Sequence, residues 1–321
     1  MSNGNGVGTP TPSARAIETA LAAAFTCRIC GHPARDDSPT AFGEVRGNTA
    51  RFRGRFFAVW KCSQCKSIHN LEPIDLRDIY SDYPLNRRQL DVFARGTLAH
   101  LLARLVRAGL RQSHTVLDYG CGNGLLLRYL KERGYPNVSG YDPYVEAYEA
   151  PRTGEQFDCV IANDVIEHVE DPRAMLRDCA QLVRPGGILY IGTADSEPVD
   201  MTRLEPEIMR LHQPFHRVLI TEQTLHRLGG ETEMELVASY RRSYMDGLRP
   251  FSNYRFLDEF NRALGHDMDR ALDPAAGSIV ARKPWLLFYA FFGYFFPVAW
   301  EPAIVLRKSG WSGAREPSGL S

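Results

Sequence analysis

The period of apolar positions changes several times along the chain, and each change marks a predicted element. Residues 15 to 25 read as a short helix. From 27 to 70 no helical period holds, and Arg, Cys and aromatic residues crowd the segment. Residues 91 to 110, DVFARGTLAHLLARLVRAGL, put apolar side chains three and four apart with Arg between them, the pattern of an amphipathic helix. The period then becomes that of strands. HTVLDYG, NVSGYD, FDCVIAN and GGILYIGT are short apolar runs, separated by helical stretches at about 124 to 134 and 172 to 183. Buried strands alternating with helices predict an α/β fold: a Rossmann-like, doubly wound, mostly parallel sheet with helices on both faces. MELVASYRR and PAIVLRK read as closing strands, one of them antiparallel, around an irregular aromatic-rich insertion from about 246 to 300.

Composition divides the chain further. Its 321 residues suffice for one large domain over 90–310 and a small module over 26–70, after a tail and short helix over 1–25. Lys+Arg and Asp+Glu balance at 38 each, so net charge gives no footprint of a nucleic-acid partner. The opening MSNGNGVGTPTPSA has no apolar run behind basic residues; it reads as a disordered tail, not a signal peptide, and a cytoplasmic location is expected. In that reducing compartment, seven cysteines with four in two CxxC pairs point to metal and not to disulfides. Cys27, Cys30, Cys62 and Cys65 form a zinc ribbon whose thiolates close a tetrahedral, purely structural site. His32 and His69 are expected to be hydrogen-bonded or solvent-facing, and Cys121, Cys159 and Cys179 to be small buried hydrophobes.

The strongest chemical signal is VLDYGCGNG, where an apolar strand runs into Gly120, Gly122 and Gly124 before a Leu-rich helix. Glycines there allow a sharp turn and close approach of the backbone to a ligand at a helix N-terminus. The spacing is GxGxG, unlike the GxGxxG of dinucleotide sites. The next strand ends in Asp142, where a carboxylate can accept both hydroxyls of a ribose. With these motifs, FDCVIANDVIEHVEDP and LVRPGGILYIGT in order, the chain resembles class I S-adenosylmethionine-dependent methyltransferases over about 90 to 245 and the last strand. The resemblance implies that Asp118 and the backbone of Gly120, Cys121 and Gly122 hold the methionine part of the cofactor. It assigns the ribose to Asp142, and it places Asn163 and Asp164 at a strand end facing the cofactor. One departure stands out: Asp142 and Phe157 are too close in sequence to hold the usual helix and third strand, so no adenine N6 contact is identified.

The acceptor side has several candidate groups. His216, in PFHRVLITEQTL, matches the histidine of the EHxxYFSxxxL stretch in zinc-ribbon sugar C-methyltransferases, although Phe215 replaces the glutamate; the resemblance makes His216 a general base, and His212, four residues earlier and expected on the same loop, is a partial substitute. Asp164, Glu167 and His168 repeat the acid-x-x-Glu-His spacing of ubiquinone-type O-methyltransferases, where such residues hold a divalent cation, here magnesium as an alternative to a metal-free role. Asn163, Asp164, Val165 and Ile166 stand where an (Asp/Asn)-Pro-Pro-(Tyr/Phe) motif would mark methylation of a base's amine. Tyr83, with Tyr80, stands where related enzymes bring a tyrosine over the cofactor. The uncharged WLLFYAFFGYFFPVAW, 285–300, is shorter than the roughly 20 residues of a membrane span. It reads as a buried helix packed on the last strands, a lid over a hydrophobic acceptor, or a membrane-surface contact.

Three functions follow in order: a methyltransferase for a small molecule (natural product, sugar or lipid-like, at C or O), an RNA methyltransferase, and a silent cofactor-binding partner protein. The RNA reading rests on Arg46, Arg51, Arg53 and Arg55 interleaved with Phe52, Phe56 and Phe57 in the ribbon, which could touch phosphates and stack bases. Oligomeric state is not legible.

Overall fold

The computed structural model describes residues 15–19, 25–296 and 301–310. The expected tail, most of the first helix's second half and the end of the aromatic run lie outside these; residues 15–19 are helical. Three strands come from the N-terminal module: β1 (Phe42–Arg46), β2 (Phe56–Lys61) and β3 (Ile68–Asn70). The main domain contributes β4 (Val116–Tyr119), β5 (Val138–Tyr141), β6 (Phe157–Asn163), β7 (Val183–Gly192), β8 (Val218–Leu219), β9 (Glu235–Tyr240) and β10 (Ala303–Arg307).

Six of these form one sheet in the order β5-β4-β6-β7-β10-β9. The first four run parallel, and β10 inserts antiparallel to both β7 and β9. Period-two alternation sorts the side chains to two faces. Leu117, Val160, Leu189 and Ile191 pack on one side with Met175, Leu176 and Cys179 of helix Pro172–Leu182. Val116, Cys159, Ile161 and Tyr190 pack on the other with Leu101 and Leu105 of helix Val92–Arg107 and Tyr129 of helix Leu125–Glu132. Both faces are covered, which is why these strands read as near-continuous apolar runs. The helices begin where caps dictate: Asp91 accepts from Ala94 N–H at 2.7 Å, and Asp171, followed by Pro172, accepts from Ala174 N–H at 3.0 Å.

Between Asp142 and Phe157 there is only a short 3-10 turn, Glu146–Tyr148, so β5 forms the sheet edge. The insertion is more regular than its sequence suggests, with helices Tyr254–Ala263 and Pro284–Phe292 among others. The two-residue β8 was not anticipated. It leaves the main domain to complete a second antiparallel sheet, β1-β2-β3-β8, pairing Val218 with His69 and Leu219 with Ile68. The cysteine module is thus joined to the main domain through a shared sheet.

Candidate active site and metal centre

The parallel strands bring their carboxyl ends together, and the expected cofactor residues meet there. Gly120, Gly122 and Gly124 all have left-handed φ (78°, 51° and 76°). At Gly120 a Cβ would stand 2.5 Å from Val165 Cγ2, so the turn needs glycine on two counts. Gly122 N–H and Tyr144 N–H donate to the two carboxylate oxygens of Asp142, each at 2.9 Å. Those bonds fix the carboxylate at the loop and leave further lone pairs for hydroxyl donors. Asp118 lies buried beneath the loop, and burial, with the neighbouring Asp142, pushes its carboxyl up to about 7. Cys121 is buried beside it, as are Cys159 and Cys179.

A strap from the linker before the main domain covers the glycine loop. The Asn123 amide donates to the carbonyls of Asn86 and Arg88, both at 2.9 Å. On this strap Tyr80 stacks on Tyr144 with ring centroids 4.4 Å apart, and Tyr83 stands 5.1 Å from Tyr80. Tyr83, expected over the cofactor, thus sits on the strap that Asn123 ties to the glycine loop.

Both tyrosines lead to a histidine cluster. Tyr80 Oη is 2.6 Å from His168 Nδ1, and Tyr83 Oη is 3.1 Å from His212 Nε2. His216 Nδ1 lies 2.7 Å from the carbonyl of Arg210, and His168 Nδ1 lies 3.2 Å from that of Phe215. A carbonyl only accepts, so both Nδ1 atoms carry the proton and both Nε2 atoms keep a lone pair. Burial, and then the neighbouring imidazoles, hold His216 well below the ordinary value; burial lowers His168 to about 4 and His212 to about 3. All three are therefore neutral at pH 7. Phe215, standing where a glutamate was expected from the resemblance, is buried and packs 4.8 Å from the His212 ring and 4.7 Å from Tyr83.

Glu167 is fully buried, its Oε2 has no hydrogen-bond partner, and burial pushes its carboxyl up to about 7. Asn163 donates its amide to Asp164 Oδ2 at 2.8 Å. Asp164 is solvent-accessible, yet Glu167, Glu301 and Tyr244 stand around it, so it lies in a recess and not on a convex surface. The surrounding protein, then Glu167 and Glu301, hold its carboxyl well above the usual range. The acid-x-x-Glu-His trio does not converge as the spacing suggested. The ligand atoms that come within 4.8 Å of one another belong to Glu167, His168 and His216, with Asp164 outside. Two imidazoles and one carboxylate are not a magnesium donor set, since that ion prefers oxygen. Sequence reasoning missed Tyr144, Tyr244, Asn48 (2.8 Å from His212 Nδ1) and Glu301, because no local motif marks them.

In the N-terminal module, Cys27, Cys30, Cys62 and Cys65 do converge. Two matching knuckles present them: Gly31 N–H bonds the Cys27 carbonyl and Lys66 N–H the Cys62 carbonyl, both at 2.9 Å, with Gly31 and Lys66 at left-handed φ of 77° and 59°. Cys27 and Cys65 sulfurs are 3.4 Å apart, and Cys30 and Cys62 sulfurs 3.6 Å. Zinc–sulfur bonds of about 2.3 Å in a tetrahedron require an edge of roughly 3.8 Å, so the donor set fits zinc. His69 is buried with Nε2 at 3.2 Å from Cys27 Sγ, and His32 is bound to Asp37 at 2.8 Å; both are hydrogen-bonded neighbours of the cluster.

The ribbon's arginines are already engaged. Arg51 pairs with Asp78 and Arg55 with Glu72, both at 2.6 Å, Arg53 with Asp267, and Arg46 with Glu205 at 3.6 Å. Phe52 and Phe57 are buried, and of the three phenylalanines Phe56 alone is exposed.

Residues 89–239 match the family model described as a methyltransferase domain. This part of the chain is a methyltransferase domain. The ubiquinone biosynthesis O-methyltransferase of Parvibaculum lavamentivorans is 35% identical over a match covering 35% of this chain and 52% of that protein. The protein of the same description from Neisseria meningitidis is 31% identical, over 26% of this chain and 45% of its own. The chain thus spans about half the length of the curated relatives it matches. Among solved structures, 1,6-didemethyltoxoflavin-N1-methyltransferase of Burkholderia thailandensis superposes with a TM-score of 0.43 at 18% identity, over 79% of this chain and 96% of that one. The methyltransferase domain takes in the glycine loop, Asp142, Asp164, Glu167 and all three clustered histidines, whereas the cysteine module lies before it.

Proposed function

We propose that this protein is an S-adenosylmethionine-dependent methyltransferase acting on a hydroxyl of a small, largely apolar molecule, with structural zinc in its ribbon. The cofactor, when bound, supplies an electrophilic methyl on a sulfonium. Asp142 takes the ribose hydroxyls, the glycine loop and Asp118 take the methionine part, and Asn163 and Asp164 face the cofactor from the end of β6. The observation that carries the reading is the neutral histidine cluster under the Tyr80–Tyr83 strap. His216 Nε2 is a lone pair beside His168, and as the acceptor oxygen bonds the methyl and the sulfur–methyl bond breaks, His216 Nε2 takes the oxygen's proton.

Three observations favour oxygen as the atom and a small, apolar molecule as the acceptor. The relatives that match are named O-methyltransferases. Phe215 in place of a glutamate, with Tyr80 and Tyr83 packed beside it, offers apolar contact where a sugar would need several polar partners. The paired arginines and buried phenylalanines of the ribbon leave little with which to hold RNA. A reducing cytoplasm, where the four thiols stay free for zinc, suits this reading.

Pooled hydroxylated metabolites and total RNA, each incubated with the protein and methyl-labelled cofactor, test it. Label is expected in an organic-extractable small molecule. Label in RNA, or on carbon, would overturn the acceptor class.

A further inference from the structure

The helix Pro284–Phe292 is apolar on every side, a pattern that belongs to a helix buried all round. Yet within it only Leu286 and Ala290, one turn apart, are buried, packed in a cluster with Phe256. Trp285, Phe288, Phe291 and Phe292 are 47, 47, 50 and 52% exposed, and Phe295 in the following turn 67%. The Phe288 ring adjoins those of Phe292 and Phe296, with centroids 5.3 and 5.8 Å away. The face is also firmly held: the Asn253 amide donates to the carbonyls of Tyr289 and Ala290 at 2.9 and 3.2 Å, and the Arg255 guanidinium lies over the Tyr289 ring. A contiguous exposed apolar patch on a fixed element marks a contact surface.

Charge identifies what covers it. No Asp or Glu occurs between Asp273 and Glu301, and the charged side chains in that stretch are Arg282 and Lys283, at the start of the helix. Arg282 donates to the neutral Ser278 Oγ and Lys283 Nζ lies 5.0 Å over the Trp285 ring; among the described residues neither joins an ion pair. Aromatic side chains beside unpaired cations, with no acid among them, match a lipid headgroup boundary, where rings sit at the interface and cations meet phosphates. No helix among the described residues is long and apolar enough to cross a membrane, so the contact lies on the surface.

We propose that this face docks on an anionic lipid bilayer. Residues next to it reach the recess: Tyr254 follows Asn253 and neighbours Glu301, which stands beside Asp164. Docking sets the opening of that recess near the bilayer, yet it stands independently of methyl transfer.

Flotation of the full chain with vesicles of phosphatidylcholine, alone or with about 30% phosphatidylglycerol, tests the proposal. Binding to the phosphatidylglycerol vesicles is expected, weakened about tenfold without the anionic lipid or in high salt. The F291S/F292S/F295S variant should lose about tenfold or more in vesicle binding, and so should R282E/K283E, with thermal melting unchanged. If the phenylalanine variant fails to fold, the charge variant decides. Parent protein that ignores anionic vesicles, or that R282E/K283E matches, overturns the proposal. So does a dimer seen by sedimentation and broken by the phenylalanine variant, which would make a second copy the occupant.

Discussion

The His216 ring stands edge to face against the His168 ring, their centroids 4.7 Å apart, and each has its Nδ1 at a backbone carbonyl. That pairing turns both Nε2 lone pairs away from their anchors, and burial keeps both rings neutral. His216→Ala should therefore leave S-adenosylmethionine affinity within a factor of about two while turnover falls by roughly 10² or more, the size of a general-base contribution. Single-turnover methylation and calorimetry check it. His212 is bound at both nitrogens, by Asn48 and Tyr83, so His212→Ala should disturb the strap more than the chemistry. Parent-like rates in both variants from pH 6 to 9 would move the base to Asp164 or Glu167.

Asp142 accepts two backbone N–H groups, so its loss should do more than remove the proposed ribose contact. Asp142→Ala should weaken cofactor binding by about 1.5 to 3 kcal/mol, the range for hydrogen bonds to a charged group. Asp142→Asn keeps one carbonyl oxygen as acceptor and should fall between the parent and Asp142→Ala in calorimetry. An unchanged dissociation constant in both would place the ribose elsewhere.

Much of this was legible in the chain. FDCVIAN reads as a buried strand because both its faces are covered, and Asp142 is exposed by its position after an apolar run and downstream of three glycines. β8 was not legible: two residues carry no period, and its partner Ile68–His69 lies far back in the sequence. Tyr144, Asn48 and Glu301 reach the site through tertiary packing, which no local spacing encodes. The helix Pro284–Phe292 was legible as apolar but not as exposed, since composition says what a surface prefers and not whether anything in the same chain covers it.

Glu167 links the site to pH. Its carboxyl is raised from an ordinary 4.5 to about 7, chiefly by burial, so the folded state binds that proton more tightly than the unfolded state. Its stabilising contribution is complete below about 4.5 and is lost as pH rises through about 7. Glu167→Gln removes the loss. The melting temperature of the cofactor-free variant, relative to the parent, should climb between pH 4.5 and 7.5, while Asp118, also raised to about 7, keeps part of the parent's slope in both. A difference that stays flat with pH would show that Glu167 ionises freely in the fold.

The ribbon and the histidine cluster are coupled through backbone. The Cys62–Cys65 knuckle runs into β3, whose His69 touches Cys27 Sγ, and Asn70 N–H donates to the Arg217 carbonyl at 3.1 Å, one residue past His216. Four sulfurs this close cannot all ionise without a cation among them, so purified protein should hold about one zinc per chain. Cys62→Ser should release it. Hydrogen exchange should then quicken over residues 27 to 70 and, through the β3–β8 pairs, over 216 to 219, where turnover suffers as well. Cofactor affinity should change by no more than about twofold, because the glycine loop belongs to the other sheet. Elemental analysis and exchange mass spectrometry read both effects. Zinc-free parent protein with a protected ribbon would refute the metal. Loss of zinc without faster exchange at 216 to 219 would refute the coupling and leave the ribbon a separate module.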